Sequence, residues 1–156
     1  MSIEDDIIFI ERIPTLRMLG RDALRILAIG AESRYVHKGE VLFTAEETAD
    51  CGFVIQEGSF RLETKSKLAA DITVGPGTLL GEMALIAEIK RPATATANEP
   101  STVMRISRNL FLKMLEGYPN AAYILRDRIV SRSQQAIEDL NDVRALLDTS
   151  PPSAPQ

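Results

Sequence analysis

The 156-residue chain has one cysteine, Cys51, and one histidine, His37. A single thiol excludes an internal disulfide framework, and one thiol with one imidazole cannot close a structural zinc site, so no metal is expected. Positive charge is also scarce: Lys and Arg total 18 against 22 Asp and Glu, for a formal net charge of −4. Binding a phosphate backbone needs the opposite balance, and no basic run exceeds two residues, so no direct contact with nucleic acid is expected. Apolar runs stay far below the roughly 20 residues of a membrane span. The N-terminus, Met1-Ser2-Ile3-Glu4-Asp5-Asp6, is acidic where a secretory signal would be basic. The chain therefore reads as cytoplasmic, without a membrane partner. It also lacks a paired acid and base or an activated nucleophile, so no catalytic residues, and no enzyme, are expected.

With 45% apolar residues, a chain of this length can bury a core as one domain without staples. From Pro14 to about Ile29, Leu16, Leu19, Ala23, Leu24, Leu27 and Ala28 recur at three- and four-residue intervals. That spacing predicts a helical lead-in, broken at Gly20 and ending near Gly30. Between Tyr35 and Ile106 the pattern turns to short β-type runs: 41–43, 53–55, 60–62, 72–74, 94–96 and 102–106. Turn signals separate them at Lys38-Gly39, Glu57-Gly58, Gly75-Pro76-Gly77 and Asn98-Glu99-Pro100. Many short strands without long intervening helices predict a sandwich or jelly-roll barrel.

The helical period returns after Ser107 in Leu110, Phe111, Met114 and Leu115, and again beyond Gly117-Tyr118-Pro119. There Ala122, Leu125, Ile129, Arg132, Ala136, Leu140, Val143 and Leu147 keep three-four spacing. The stripe fits either a dimerising seam or a helix lying on its own barrel, with Arg132 interrupting it. The Pro- and Ser-rich end is expected to be disordered.

One segment has the composition of a binding site. Gly77-Thr78-Leu79-Leu80-Gly81-Glu82-Met83-Ala84-Leu85-Ile86 runs from a strand through two glycines into a short apolar stretch, where backbone N–H groups can face an anion. Arg91 follows after a four-residue gap, and its planar fork of donors suits phosphate oxygens. Pro92 biases Arg91 toward extended backbone. Glu82 cannot face a phosphate without repulsion, so in an anion site it would accept from a sugar hydroxyl. From spacing alone, a plain Glu–Arg pair on a loop is the favoured reading. His37, beside Lys38-Gly39, reads as a solvated turn residue, and Cys51 as an inert thiol in a loop. One His cannot furnish the ligand cluster that barrel metal enzymes need.

Gly81-Glu82-Met83-Ala84-Leu85-Ile86, four further residues, then Arg91-Pro92-Ala93-Thr94-Ala95 resembles the phosphate-binding cassette of the cyclic nucleotide-binding domain family. That family includes Crp/Fnr-type regulators, the regulatory subunits of cyclic-AMP-dependent protein kinase and cyclic-nucleotide-gated channels. The likeness extends upstream through Gly39-Glu40-Val41-Leu42-Phe43, Ala49-Asp50 and 53–58, and downstream into the helices. The implied fold is mainly β: an eight-stranded jelly-roll barrel, or double-stranded β-helix, flanked by N- and C-terminal α-helices. The implied organisation is an N-terminal segment over 1–12, the domain over 13–147 with its long C-terminal helix, and a disordered tail over 148–156. No helix-turn-helix is expected.

The same resemblance implies that Arg91 binds the cyclic phosphate and Glu82 the ribose 2′-hydroxyl. Gly81, Met83 and Ala84 would line the turn, with Pro92 and Ala93 beside the phosphate. Pro92 has no N–H to give where members often donate one. Members that prefer cyclic GMP commonly carry a threonine at that position, so cyclic AMP is the expected ligand and cyclic GMP the lesser one. The loop near Glu46 and Thr48 lacks the family's glycine and proline, which reads as a structural variation away from the cassette. The implied function is a regulatory sensor that signals through its flanking helices, as a homodimer through 120–147 or through an effector protein. A scaffold that binds no nucleotide, or a regulatory piece of a larger transcription factor or channel, would carry the same pattern.

Overall fold

The computed structural model describes residues 2–64 and 70–128. The stripe beyond Arg128 and the tail over 148–156 therefore lie outside the described residues.

Three helices precede the sheets: α1 (Ile3–Ile10), α2 (Pro14–Arg17) and α3 (Arg21–Gly30). The expected lead-in is α2 and α3, split at Gly20, whose φ of 93° suits glycine. α1 was not expected. It starts at a capping box in which Ser2 and Asp5 satisfy each other's backbone N–H, with Glu4, Asp5 and Asp6 in its first turn. Ile7 and Ile10 on its inner face are fully buried.

Among the described residues ten strands follow: β1 (Glu32–Val36), β2 (Val41–Phe43), β3 (Thr48–Ala49), β4 (Cys51–Glu57), β5 (Phe60–Thr64), β6 (Ile72–Val74), β7 (Leu79–Leu80), β8 (Ile89–Lys90), β9 (Ala93–Ala97) and β10 (Ser101–Ser107). They form three antiparallel sheets in the orders β1-β10-β4-β7, β2-β9-β5-β6 and β3-β8. The jelly-roll character holds, but the count and closure differ from the expected eight-stranded barrel. The excess arises at two corners. β3 leaves the small sheet at Asp50 to become β4, and β8 leaves it at Arg91-Pro92 to become β9. Pro92 has no N–H for a ladder, so a strand must break there, and a strand that changes sheets bends at such a corner. β1, with four of its five residues exposed, carried no alternating apolar signal.

After β10, Ser107 caps α4 (Arg108–Gly117) by accepting from the Leu110 N–H. Helix resumes over 119–128. Among the described residues no helix is long and apolar enough to cross a membrane.

Two apolar clusters share the middle strands. Val36, Leu42, Phe43, Cys51, Phe53, Ile55, Phe60, Leu80, Ala95 and Val103 fill the space between the sheets. Val54, Met104 and Ile106 point the other way along β4 and β10, to meet Ile7, Ile10, Leu16, Leu24, Leu27, Phe111 and Met114 of the helices. The period of two along a strand puts neighbours on opposite faces, so β4 is buried on both sides.

Candidate functional site

β7 runs into Gly81, then a single 3-10 turn over Glu82–Leu85, then β8 and the corner at Arg91. Gly81 has φ 83°, in the left-handed region. A Cβ there would collide with Arg91 Nη1 and stand 3.1 Å from the Cys51 carbonyl oxygen. Backbone conformation and the packed guanidinium both demand glycine.

Arg91 is 4% exposed. Its Nη2 donates to the Cys51 carbonyl at 2.8 Å and contacts Cys51 Sγ at 3.4 Å. Its guanidinium carbon lies 4.3 Å from the Phe43 ring centre and 5.6 Å from that of Phe53, within cation–π range. Nη1 is buried with no hydrogen-bond partner. The ion pairs among the described residues involve Arg21, Arg25, Arg61 and Arg105; none involves Arg91. A buried, hydrogen-bonding cation with an orphaned donor and no counter-charge is costly in a closed interior. It is the arrangement an incoming anion would complete.

The loop before β3 holds the arginine's backbone. The Glu46 N–H donates to the Arg91 carbonyl at 2.8 Å, and the Arg91 N–H to the Glu47 carbonyl at 2.8 Å. The Thr44 N–H in turn donates to Glu47 Oε2 at 2.9 Å. This corrects the expectation that the loop is a variation remote from the cassette. Glu46 takes φ 74° without being glycine, a conformation costing a side-chain-bearing residue about 1–2 kcal/mol. A left-handed turn is thus made here by a residue other than glycine.

Glu82 opens the 3-10 turn, and its Oε1 accepts from Thr15 Oγ1 of α2 at 2.9 Å. Ala84 is fully buried and Met83 exposed; the Ala84 N–H is spent on the Gly81 carbonyl. Ala93 is buried at the start of β9, while Pro92 and Lys90 are exposed. The structure therefore brings Gly81, Arg91 and the turn together, with Pro92 at the corner, and hydrogen-bonds Glu82 to the helical layer.

Sequence reasoning missed three parts of this site. Phe43 and Phe53 were read only as strand residues. Cys51, expected in a loop, begins β4 and is buried against Arg91; burial pushes its thiol pKa up, opposed by the charges of Arg105 and Arg91. Arg108, the first residue of α4, donates from Nε to the Ala84 carbonyl at 2.9 Å and from Nη2 to the Ala87 carbonyl at 2.9 Å and to that of Ala49. It ties the cassette's end to α4 and β3, and no local pattern announces such a contact. His37 lies exposed, edge-on to Tyr35, and among the described residues no group of three or more His, Cys, Asp or Glu could hold a metal ion.

Comparison with known proteins agrees with this geometry. The family model for the cyclic nucleotide-binding domain matches residues 33–118, more than half of the chain. A cyclic nucleotide-binding-like protein from Brucella abortus has 38% sequence identity, a TM-score of 0.65, and coverage of 72% of this chain and 98% of that one. The N-terminal domain of a Streptomyces coelicolor transcriptional regulator shares the fold at TM-score 0.75 and 23% identity, over 86% of this chain and 94% of the other. A cAMP-dependent protein kinase regulatory subunit from Yarrowia lipolytica is 27% identical over 69% of this chain, and a Pycsar effector protein from Pseudomonas aeruginosa is 32% identical over 74%. This chain spans 28% and 37% of those two proteins. With the family model spanning the cassette and both strand corners, the chain belongs to the cyclic nucleotide-binding domain family.

Proposed function

We propose that this domain is a sensor for a cyclic nucleotide, with Arg91 receiving the cyclic phosphate and Glu82 the ribose 2′-hydroxyl. Gly81, Met83, Ala84, Pro92 and Ala93 shape the cradle between them. The observation that carries the reading is the buried Arg91 guanidinium with its orphaned Nη1 and no carboxylate partner among the described residues. A phosphate monoanion supplies both the missing acceptor and the missing charge. Pro92 stands where cyclic-GMP-preferring members carry a threonine, so cyclic AMP is the preferred ligand.

Arg108 gives the signal a route, because movement of the turn over Glu82–Leu85 pulls on carbonyls that this first residue of α4 holds. The responding unit is residues 13–147, with the stripe over 120–147 meeting a second copy or an effector protein. Calorimetric titration of nucleotide-stripped protein with each nucleotide measures this directly: cyclic AMP binds at one site per chain and more tightly than cyclic GMP. Tighter binding of cyclic GMP would reverse the selectivity argued from Pro92.

Pro92 also favours a second reading, a protein-interaction scaffold, since its missing N–H removes one phosphate donor. That loss is worth about 1.5–3 kcal/mol for a charge-assisted bond with no substitute. The same titration separates the two, because the scaffold shows no heat with either nucleotide at millimolar concentration.

A further inference from the structure

The two cassette residues assigned to one ligand are anchored in different layers of the molecule. Arg91 rests on Phe43, Phe53 and Cys51, all members of the cluster between the sheets. Glu82 accepts from Thr15, whose neighbour Leu16 lies in the cluster between the helices and the outer sheet face, with Leu85, Val54 and Ile106. A cyclic phosphate and the 2′-hydroxyl sit on one small, rigid bicyclic unit, so both residues must address the same space to hold them together. Thr15 is 4% exposed, and its hydroxyl needs a partner that water cannot readily replace.

We propose that the Thr15 hydroxyl and the ligand's ribose compete for Glu82, so that nucleotide capture draws the carboxylate away from α2 and releases this hydrogen-bonded tie between the N-terminal helices and the cassette. The inference rests on the reading of Glu82 as the ribose ligand. In the ligand-free chain the Thr15–Glu82 bond lowers affinity, because part of the ribose contact is spent on breaking it. It also makes α2 sensitive to occupancy. α2 is followed by α3, which packs on both α1 and α4, so the release reaches the face that carries the output helices.

The experiment crosses a change in the protein with a change in the ligand. Thr15→Val keeps the shape and deletes the hydroxyl, while 2′-deoxy cyclic AMP keeps the phosphate and base and deletes the ribose group that competes. Calorimetry on the full chain is expected to show Thr15→Val binding cyclic AMP roughly tenfold more tightly, the equivalent of one charge-assisted hydrogen bond. For the 2′-deoxy analogue the affinity should change by less than about twofold. Thr15→Ser, which restores the hydroxyl, should bring cyclic AMP affinity back toward the wild-type value. Thr15→Ala serves as a second hydroxyl-free variant, and melting curves recorded beside each titration establish that the variants are folded. Equal effects on the two ligands, or weaker cyclic AMP binding in both hydroxyl-free variants, would overturn the competition and leave nucleotide sensing intact. If wild-type protein binds neither nucleotide, the sensor reading itself falls and this inference with it.

Discussion

Arg91 is charged, 4% exposed and left with a donor that meets no acceptor. Its desolvation is offset by stacking on Phe43, worth about 0.5–2 kcal/mol, and by one hydrogen bond to a carbonyl. The orphaned Nη1 tips that balance toward cost. Arg91→Met keeps the unbranched stem and removes the charge, so without ligand it is expected to leave stability unchanged or raise it by up to about 1 kcal/mol. That corresponds to a melting-temperature increase of no more than about 2–4 °C for a domain of this size. The same variant should lose nucleotide binding. A drop of more than about 2 kcal/mol in urea unfolding would instead make Arg91 a structural residue whose present contacts suffice. Glycine at position 81 belongs to the same logic, since its left-handed φ and the nearby guanidinium exclude any side chain.

Elements hold the cassette through backbone and carbonyl contacts. Arg108 accounts for three of these, one to Ala49 of β3 and two to Ala84 and Ala87, carbonyls at the end of the 3-10 turn that the turn itself does not pair. Arg108→Ala is therefore expected to cost about 1.5–3 kcal/mol in urea unfolding and to weaken nucleotide binding less than loss of Arg91 does. Unchanged stability would show that water replaces the guanidinium there. The cassette was legible in advance because its signals are local: two glycines, an acid, a gap of fixed length and Arg-Pro. Arg108 was not, because its partners lie 21 to 59 residues away in sequence. The loop at Glu46 was misread for a related reason. Glycine and proline announce a turn through their own backbone preferences, whereas here Glu46 is held in the left-handed region by bonding to Arg91 across the small sheet. The two-residue strands β3, β7 and β8 escaped the period-two pattern because each holds a single repeat of it, too little to show an alternation.

At the scale of the whole molecule, one strand pair serves two cores. β4 and β10 turn Phe53, Ile55 and Val103 toward the ligand-side cluster, and Val54, Met104 and Ile106 toward the helices. The helices therefore lie one strand thickness from Arg91, and the cassette meets them through the buried Leu85 and through hydrogen bonds with Thr15 and Arg108. In the proposed sensor, that layering is what would couple a small ligand to the surface of the domain. It holds only if the phosphate is taken by Arg91 and not by the neighbouring cation. Lys90 is exposed on β8, and its hydrated ammonium lacks the two-pronged geometry of a guanidinium. The deciding measurement is calorimetric titration of cyclic AMP into wild-type protein, Arg91→Ala and Lys90→Ala at low and high salt. Removing a buried charge-pair partner costs about 2–5 kcal/mol, so Arg91→Ala is expected to weaken binding by roughly 30-fold to several thousand-fold at either salt concentration. Lys90→Ala should weaken it by less than about threefold, and that loss should shrink as salt screens it. Equal damage from the two substitutions would contradict the assignment of the phosphate to Arg91.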